Sequence, residues 1–188
     1  MAVIVSRISP QSESFKANAA QLLAQIEQVR ALEQAVIAHS AQQTDKFSKR
    51  GQILPRERVA RLLDRGAPFL ELSPLAGWRM HDDDGETKVM GGGLIIGIGV
   101  VSGKRVLVSA NDSAIKGGTI SPMGLRKALR AQEIARENKL PLISLVESGG
   151  ANLLYQSEMF VEGGRTFANQ ASSEPASPLP SVQIPRDS

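Results

Sequence analysis

The amino-acid sequence predicts an α/β fold preceded by a helical extension, and three stretches carry that reading. "GGGLIIGIGVVSGKRVLVSAND" holds two β-branched apolar runs, Leu94 to Val101 and Arg105 to Ala110, joined by the hairpin dipeptide Ser102-Gly103. "SPMGLRKALRAQEIAREN" opens on Ser121-Pro122, an N-cap and first-turn pair, and repeats apolar residues at helical spacing to about Asn138. "LPLISLVESGGAN" is apolar on both faces from Leu142 to Val146, as in a strand covered on both sides, and ends in Gly149-Gly150.

The remaining elements follow in chain order. From Ser14 to about Ala38, Leu22, Ile26, Val29 and Val36 recur at helical spacing, which predicts a helix packed on its own domain or on a partner subunit. Ser40 to Gly51 is polar and breaks that pattern. Pro55 suits a first helical position, and "RERVARLLDRG" closes a short helix at Gly66. Phe69 to Trp78 reads as a strand interrupted by Pro74. "HDDDGETK", His81 to Lys88, lacks the alternating ligands and closing acid of a hard-cation loop, so it reads as a solvated loop. Gly97, Gly99 and Gly103 lie within or just beyond a strand, where they mark bulges or close backbone approach; a dinucleotide-binding turn needs a different spacing. Leu125, Ala128, Leu129 and Ala135 supply the buried face of the helix after Ser121, and Pro141 blocks its continuation. Another helix is expected over Tyr155 to Ala171. Ser172 to Ser188, rich in Ser and Pro without periodicity, reads as a disordered tail.

Composition narrows the function. A chain of 188 residues has room for one ordinary domain with extensions. It has no cysteine, which excludes a disulfide scaffold, a thiolate metal site and a cysteine nucleophile. Aromatic residues make up 4% and the 22 Lys and Arg stand against 19 Asp and Glu, interleaved, which argues against nucleic-acid binding. No run approaches the length of a membrane span and the amino terminus has no secretory pattern, so a cytoplasmic location is expected.

Two adjacent glycines at the carboxyl end of a buried strand leave bare backbone N–H groups where open α/β sheets bind ligands. They suit an oxyanion hole, a pair of donors aimed at developing negative charge, and they equally suit a tight turn that needs positive φ. A serine triad is excluded: Val146 stands where a nucleophile elbow needs glycine, and the histidines are His39 and His81. Glu147 and Glu158 are candidate bases by position alone.

Four blocks, "RGQILPRERVARLLDRGAPFLEL", "GGGLIIGIGVVSGKRVLVSANDSAIKGGTISP", "LRAQEIARENKLPLISLVESGGANL" and "FVEGGRTFANQA", together resemble the amino-terminal part of the carboxyltransferase β subunit of biotin-dependent acyl-CoA carboxylases. The likeness runs from about Phe15 to Ala171, and Lys116 with "ANLLYQSEMF" is nearer the methylcrotonyl- and geranyl-CoA members. It implies a crotonase-like fold of repeated ββα units and transfer of a carboxyl group from carboxybiotin to a branched unsaturated acyl-CoA. It implies a division into a helical extension (1–48), a partial carboxyltransferase domain (49–171) and the tail (172–188). The implied partners are an α subunit that carries the biotin and other β subunits, with no metal, nucleic acid or membrane. Gly149, Gly150 and Ala151 would stabilise the thioester enolate. Lys116, Gly117, Gly118, Arg126 and Arg130 would meet the coenzyme A phosphates, although each charge reads equally as ordinary solvated surface. The released biotin would serve as base, which explains why no side chain volunteers.

The family's following block, with a second amide pair, does not succeed Ala171; the Ser/Pro stretch stands in its place, as after a frameshift. The expectation is an incomplete spiral, inactive alone. A stand-alone crotonase-like hydratase or hydrolase, or a non-catalytic protein docking through the first helix, are the alternative readings.

Overall fold

A computed structural model describes residues 6, 8–84 and 89–172; of the expected Ser/Pro tail, Ser172 ends the last helix and the rest lies outside the described residues. Packing divides the chain into two units, Met1–Ala35 and Val36–Ser188. The first helix, α1 (Glu13–Ala41), forms a little longer than its spacing predicts. Within the first unit Leu22, Leu23 and Val29 stay exposed, because a single helix has no second element of that unit to cover them.

In the second unit, α2 (Thr44–Ser48) and α3 (Pro55–Leu62) precede the sheet. The polar stretch expected to break the chain folds as α2 because one ring, Phe47, is buried there. Pro55 starts α3 as expected, but the helix stops short of Gly66. Leu63 turns extended and packs on the sheet, freeing Asp64 to bond the hairpin turn.

The sheet is four-stranded in the order β1 (Leu70–Glu71), β2 (Leu94–Val101), β3 (Lys104–Asn111), β4 (Leu142–Leu145). β1, β2 and β3 pair antiparallel; β3 and β4 pair parallel through the crossover helix α4 (Pro122–Glu137). Ser102 and Gly103 both adopt positive φ, the turn whose twist matches the flanking strands. The Asp64 carboxylate accepts from both their amides at 2.7 Å. Pairing is continuous from Leu94↔Asn111 to Val101↔Lys104, so Gly97 and Gly99 form no bulge. Instead they admit neighbours: Phe69 and the Leu70 carbonyl at Gly97, and Leu63 at Gly99.

Side chains alternate across the sheet. Ile95, Val106, Val108, Ala110 and Leu145 meet Val59 of α3 on one face. Leu94, Ile96 and Leu107 meet Ala131 and Ala135 of α4 on the other. Ser121 caps α4 by accepting from the Gly124 amide at 3.1 Å. Beyond β4, a 3-10 turn (Leu153–Tyr155) leads into α5 (Gln156–Ser172), whose Met159 packs on Leu125 and Leu129 while Phe160, Val161 and Phe167 face water. No helix among the described residues is long and apolar enough to cross a membrane.

Among the described residues one cation is buried. Lys127 of α4 is 6% exposed, and its Nζ donates to the carbonyls of Leu94 (2.7 Å) and Gly91 (3.3 Å). Desolvation brings its pKa down to about 8 despite the nearby Glu71 carboxylate. Glu71 is held by both guanidinium arms of Arg56, at 2.8 and 3.0 Å. Asp112, 2% exposed, accepts from Ser40 Oγ at 3.2 Å, and burial raises its pKa.

Candidate active site

Two glycine-bearing segments meet at the carboxyl end of the sheet. Lys116–Gly118 forms a 3-10 turn in which Lys116, Gly117 and Gly118 all have positive φ. Ser148 to Ala151 follows β4 and is exposed. Ile120 and Ala151 form a parallel bridge: the Ile120 amide donates to the Gly150 carbonyl at 2.9 Å, and the Asn152 amide to the Ile120 carbonyl at 3.1 Å. The segments touch so closely that a Cβ on Gly118 would strike the Glu147 carbonyl. One on Gly149 would lie 2.8 Å from Thr119 Oγ1 and 2.9 Å from the Gly117 carbonyl.

Gly150 differs. It has φ +91°, and nothing lies within 4 Å of the point where a Cβ would stand, so its conformation is open rather than packed. Its own amide donates to Ser148 Oγ at 2.9 Å. The amides of Gly149 and Ala151 make no hydrogen bond among the described residues. The sequence could not separate a turn from a donor site here; the geometry holds both, a positive φ at Gly150 and free N–H groups on either side.

A cleft of about 760 Å³ runs beside this loop, lined by Gly149, Ser148, Glu147, Lys116, Gly117, Lys46 and Arg50 among others. Lys46 and Arg50 are exposed, and neither has an ion-pair partner among the described residues. Glu147 is bonded by Arg58 Nη1 at 3.0 Å and Glu158 by His81 Nε2 at 3.2 Å, so neither candidate base is idle. Among the described residues no grouping of His, Asp and Glu could hold a metal ion.

The described part of the loop read as solvated, 81–84, is instead anchored. Asp83 is buried and accepts from the amides of Arg79 and Val89 at 3.1 and 2.9 Å. Asp82 accepts from Lys116 Nζ at 2.7 Å, Asn152 Nδ2 at 2.9 Å and the Tyr155 hydroxyl at 2.8 Å. The hydrogen bond from Lys116 leads the causes that hold the Asp82 pKa below the usual carboxylate value. His81 stands edge-on to Tyr155, ring centres 4.8 Å apart. Unpaired-looking acids in a charged run gave no sign of these partners, which come from residues far along the chain.

Of the residues singled out by sequence, Lys116, Gly117 and Gly149 line the cleft together. Gly118 packs against the same strand end, while Gly150 and Ala151 continue outside the lining. Arg126 and Arg130 are exposed on α4 and do not line it, and Arg130 pairs with Glu133 at 3.0 Å. Lys46 and Arg50 line it instead; nothing in their polar stretch singled them out.

The model of the carboxyl transferase domain matches residues 46–177. The chain belongs to the carboxyl transferase domain family. This carboxyl transferase chain is 42% identical, over 97% of its length, to a probable mitochondrial methylcrotonoyl-CoA carboxylase β chain of Drosophila melanogaster, of which it covers 32%. It is 54% identical over 65% of its length to a 3-methylcrotonyl-CoA carboxylase β1 subunit of Mycobacterium tuberculosis, covering 23% of that protein. The β subunit of geranyl-CoA carboxylase from P. aeruginosa superposes with a TM-score of 0.81 at 56% identity, over 91% of this chain and 32% of that one. A transcarboxylase 12S structure shares the fold at 22% identity and a TM-score of 0.70. The crotonase-like expectation therefore holds. The carboxyl transferase chain spans about a third of the length of the first curated relatives it matches.

Proposed function

We propose that this chain is the part of an acyl-CoA carboxylase β subunit that receives the thioester of a branched unsaturated acyl-CoA. One observation carries the reading: Gly149, exposed and with an amide that makes no hydrogen bond among the described residues, lines a cleft that also holds Lys46, Arg50 and Lys116. Free N–H groups favour an oxygen acquiring charge, and lysine with arginine favours phosphate, so thioester and nucleotide ends are served by different chemistries of one cleft.

In this reading the Gly149 amide donates to the thioester carbonyl and stabilises the enolate formed when the substrate carbon loses its proton. One donor of this kind is worth roughly 3 kcal/mol in the transition state. Lys46, Arg50 and Lys116 hold the phosphates and orient the thioester. Carboxybiotin bound from a partner subunit would supply the carboxyl group and, once freed of it, a base for the substrate proton. The residues of this chain fit one oxyanion, the thioester's. The relatives named for methylcrotonoyl-CoA and geranyl-CoA support a branched unsaturated acyl group.

Calorimetric titration with 3-methylcrotonyl-CoA tests the reading. The expected result is saturable binding weakened by salt; no heat beyond dilution with folded protein would remove it.

A further inference from the structure

The Gly149 to Ala151 segment is exposed, and Gly150 meets nothing. The segment's backbone is held by the close approach of Gly149 to Thr119 and Gly117 and by the bridge to Ile120. Side chains grip it at its end as well. Asn152, next after Ala151, gives its Nδ2 to Asp82. Lys116, next before Gly117, gives its Nζ to the same carboxylate oxygen. The other oxygen takes the Tyr155 hydroxyl, and Tyr155 packs against the cluster of Leu125, Leu129 and Met159.

We infer that Asp82 is a positioning residue for the Gly149 amide, binding both glycine segments to the core between α4 and α5 through Lys116, Asn152 and Tyr155. The chemistry selects a carboxylate. Lys116 Nζ and Asn152 Nδ2 donate to one oxygen and the Tyr155 hydroxyl to the other, and a carboxylate accepts at both while carrying the charge opposite Lys116. A carboxamide of the same volume accepts at one oxygen and presents N–H to the remaining partner. Lys116 also holds φ +45°, unusual for a side-chain-bearing residue, and its bond to Asp82 favours that conformation. Backbone bonds between Ile120 and the Gly150 and Asn152 groups hold the peptide planes on either side of Ala151, and Asp82 adds a side-chain link between the residues that flank the two glycine segments.

This inference rests on the reading that the Gly149 amide receives the thioester carbonyl, and the experiment separates the two. The full chain and its Asp82→Asn and Tyr155→Phe variants are titrated with 3-methylcrotonyl-CoA and with the thioether analogue that has CH₂ in place of the carbonyl. Thermal unfolding of each is recorded. The wild-type chain is expected to prefer the thioester. Asp82→Asn should lose about tenfold of that preference, the scale of one hydrogen bond, whatever change the freed Lys116 makes in the affinity for both ligands alike. Tyr155→Phe, which deletes one hydroxyl and disturbs packing least, should lose a smaller part in the same direction. A wild-type preference retained in both variants overturns the inference and leaves the reading standing, as does equal weakening toward both ligands. A wild-type chain without preference overturns both.

Discussion

Two glycine clusters occupy neighbouring loops of this molecule, and they do opposite work. Gly92 and Gly93, before β2, are closed by backbone: a Cβ on Gly92 would lie 2.5 Å from Gly124 Cα, and one on Gly93 2.5 Å from the Thr119 carbonyl. Gly124 returns the contact against the Gly92 carbonyl. Lys127 ties the same loop from below through the Gly91 carbonyl. Gly150 has open space around it and flanking amides without partners. The lesson is that a glycine's role is set by what fills the place of its missing side chain: protein in the first cluster, solvent or ligand in the second.

The sharpest way to break this comparison is Gly124→Ala. Its methyl group must displace the Gly92 backbone, and we expect a loss of about 3 kcal/mol or more in urea unfolding; an unchanged midpoint would show that the contact relaxes freely. Lys127→Ala should cost about 3 kcal/mol by removing the donor to the Leu94 carbonyl, one of two to the Gly91 carbonyl, and opening a cavity. The lysine also predicts a pH dependence. Its folded pKa of about 8 lies below the unfolded value of 10.5, so the ammonium is penalised below pH 8. Stability from this group should rise between about pH 8 and 10.5, where the unfolded chain keeps a proton that the folded chain has released. Lys127→Met should lack that rise, and identical slopes would refute the assignment.

Gly150→Ala should cost only about 1–2 kcal/mol, from its φ of +91°, yet weaken thioester binding more than it weakens the fold. Equal losses at Gly150 and Gly124 would erase the distinction between the clusters. Lys46→Gln and Arg50→Gln should leave unfolding unchanged and each lower acyl-CoA affinity about threefold at low salt, less as salt rises.

The sequence was most legible where structure is local. Ser102-Gly103 announced the hairpin and Ser121-Pro122 the start of α4, because each signal and its effect lie within a turn. Legibility failed where partners are remote. Lys127 looks like its neighbours Arg126 and Arg130 on a helical wheel of mixed charge, and only the carbonyls of the Gly91 to Leu94 loop explain its burial. Asp82 sits among charged neighbours, and its three donors lie 34, 70 and 73 residues away. The glycine segment after β4 was found, but its free amides are a fact of three-dimensional placement. α2 went unread because a single phenylalanine nucleates it.

The outer side of α5 has a consequence for handling the molecule. Phe160, Val161 and Phe167 stand more than two-thirds clear of protein, with Leu153 and Leu154 close by in sequence. Such a surface makes purified chains adhere as concentration and ionic strength climb, so colloidal behaviour should worsen in the conditions that leave the interior intact. Light scattering against protein concentration, with and without a mild detergent, would register it.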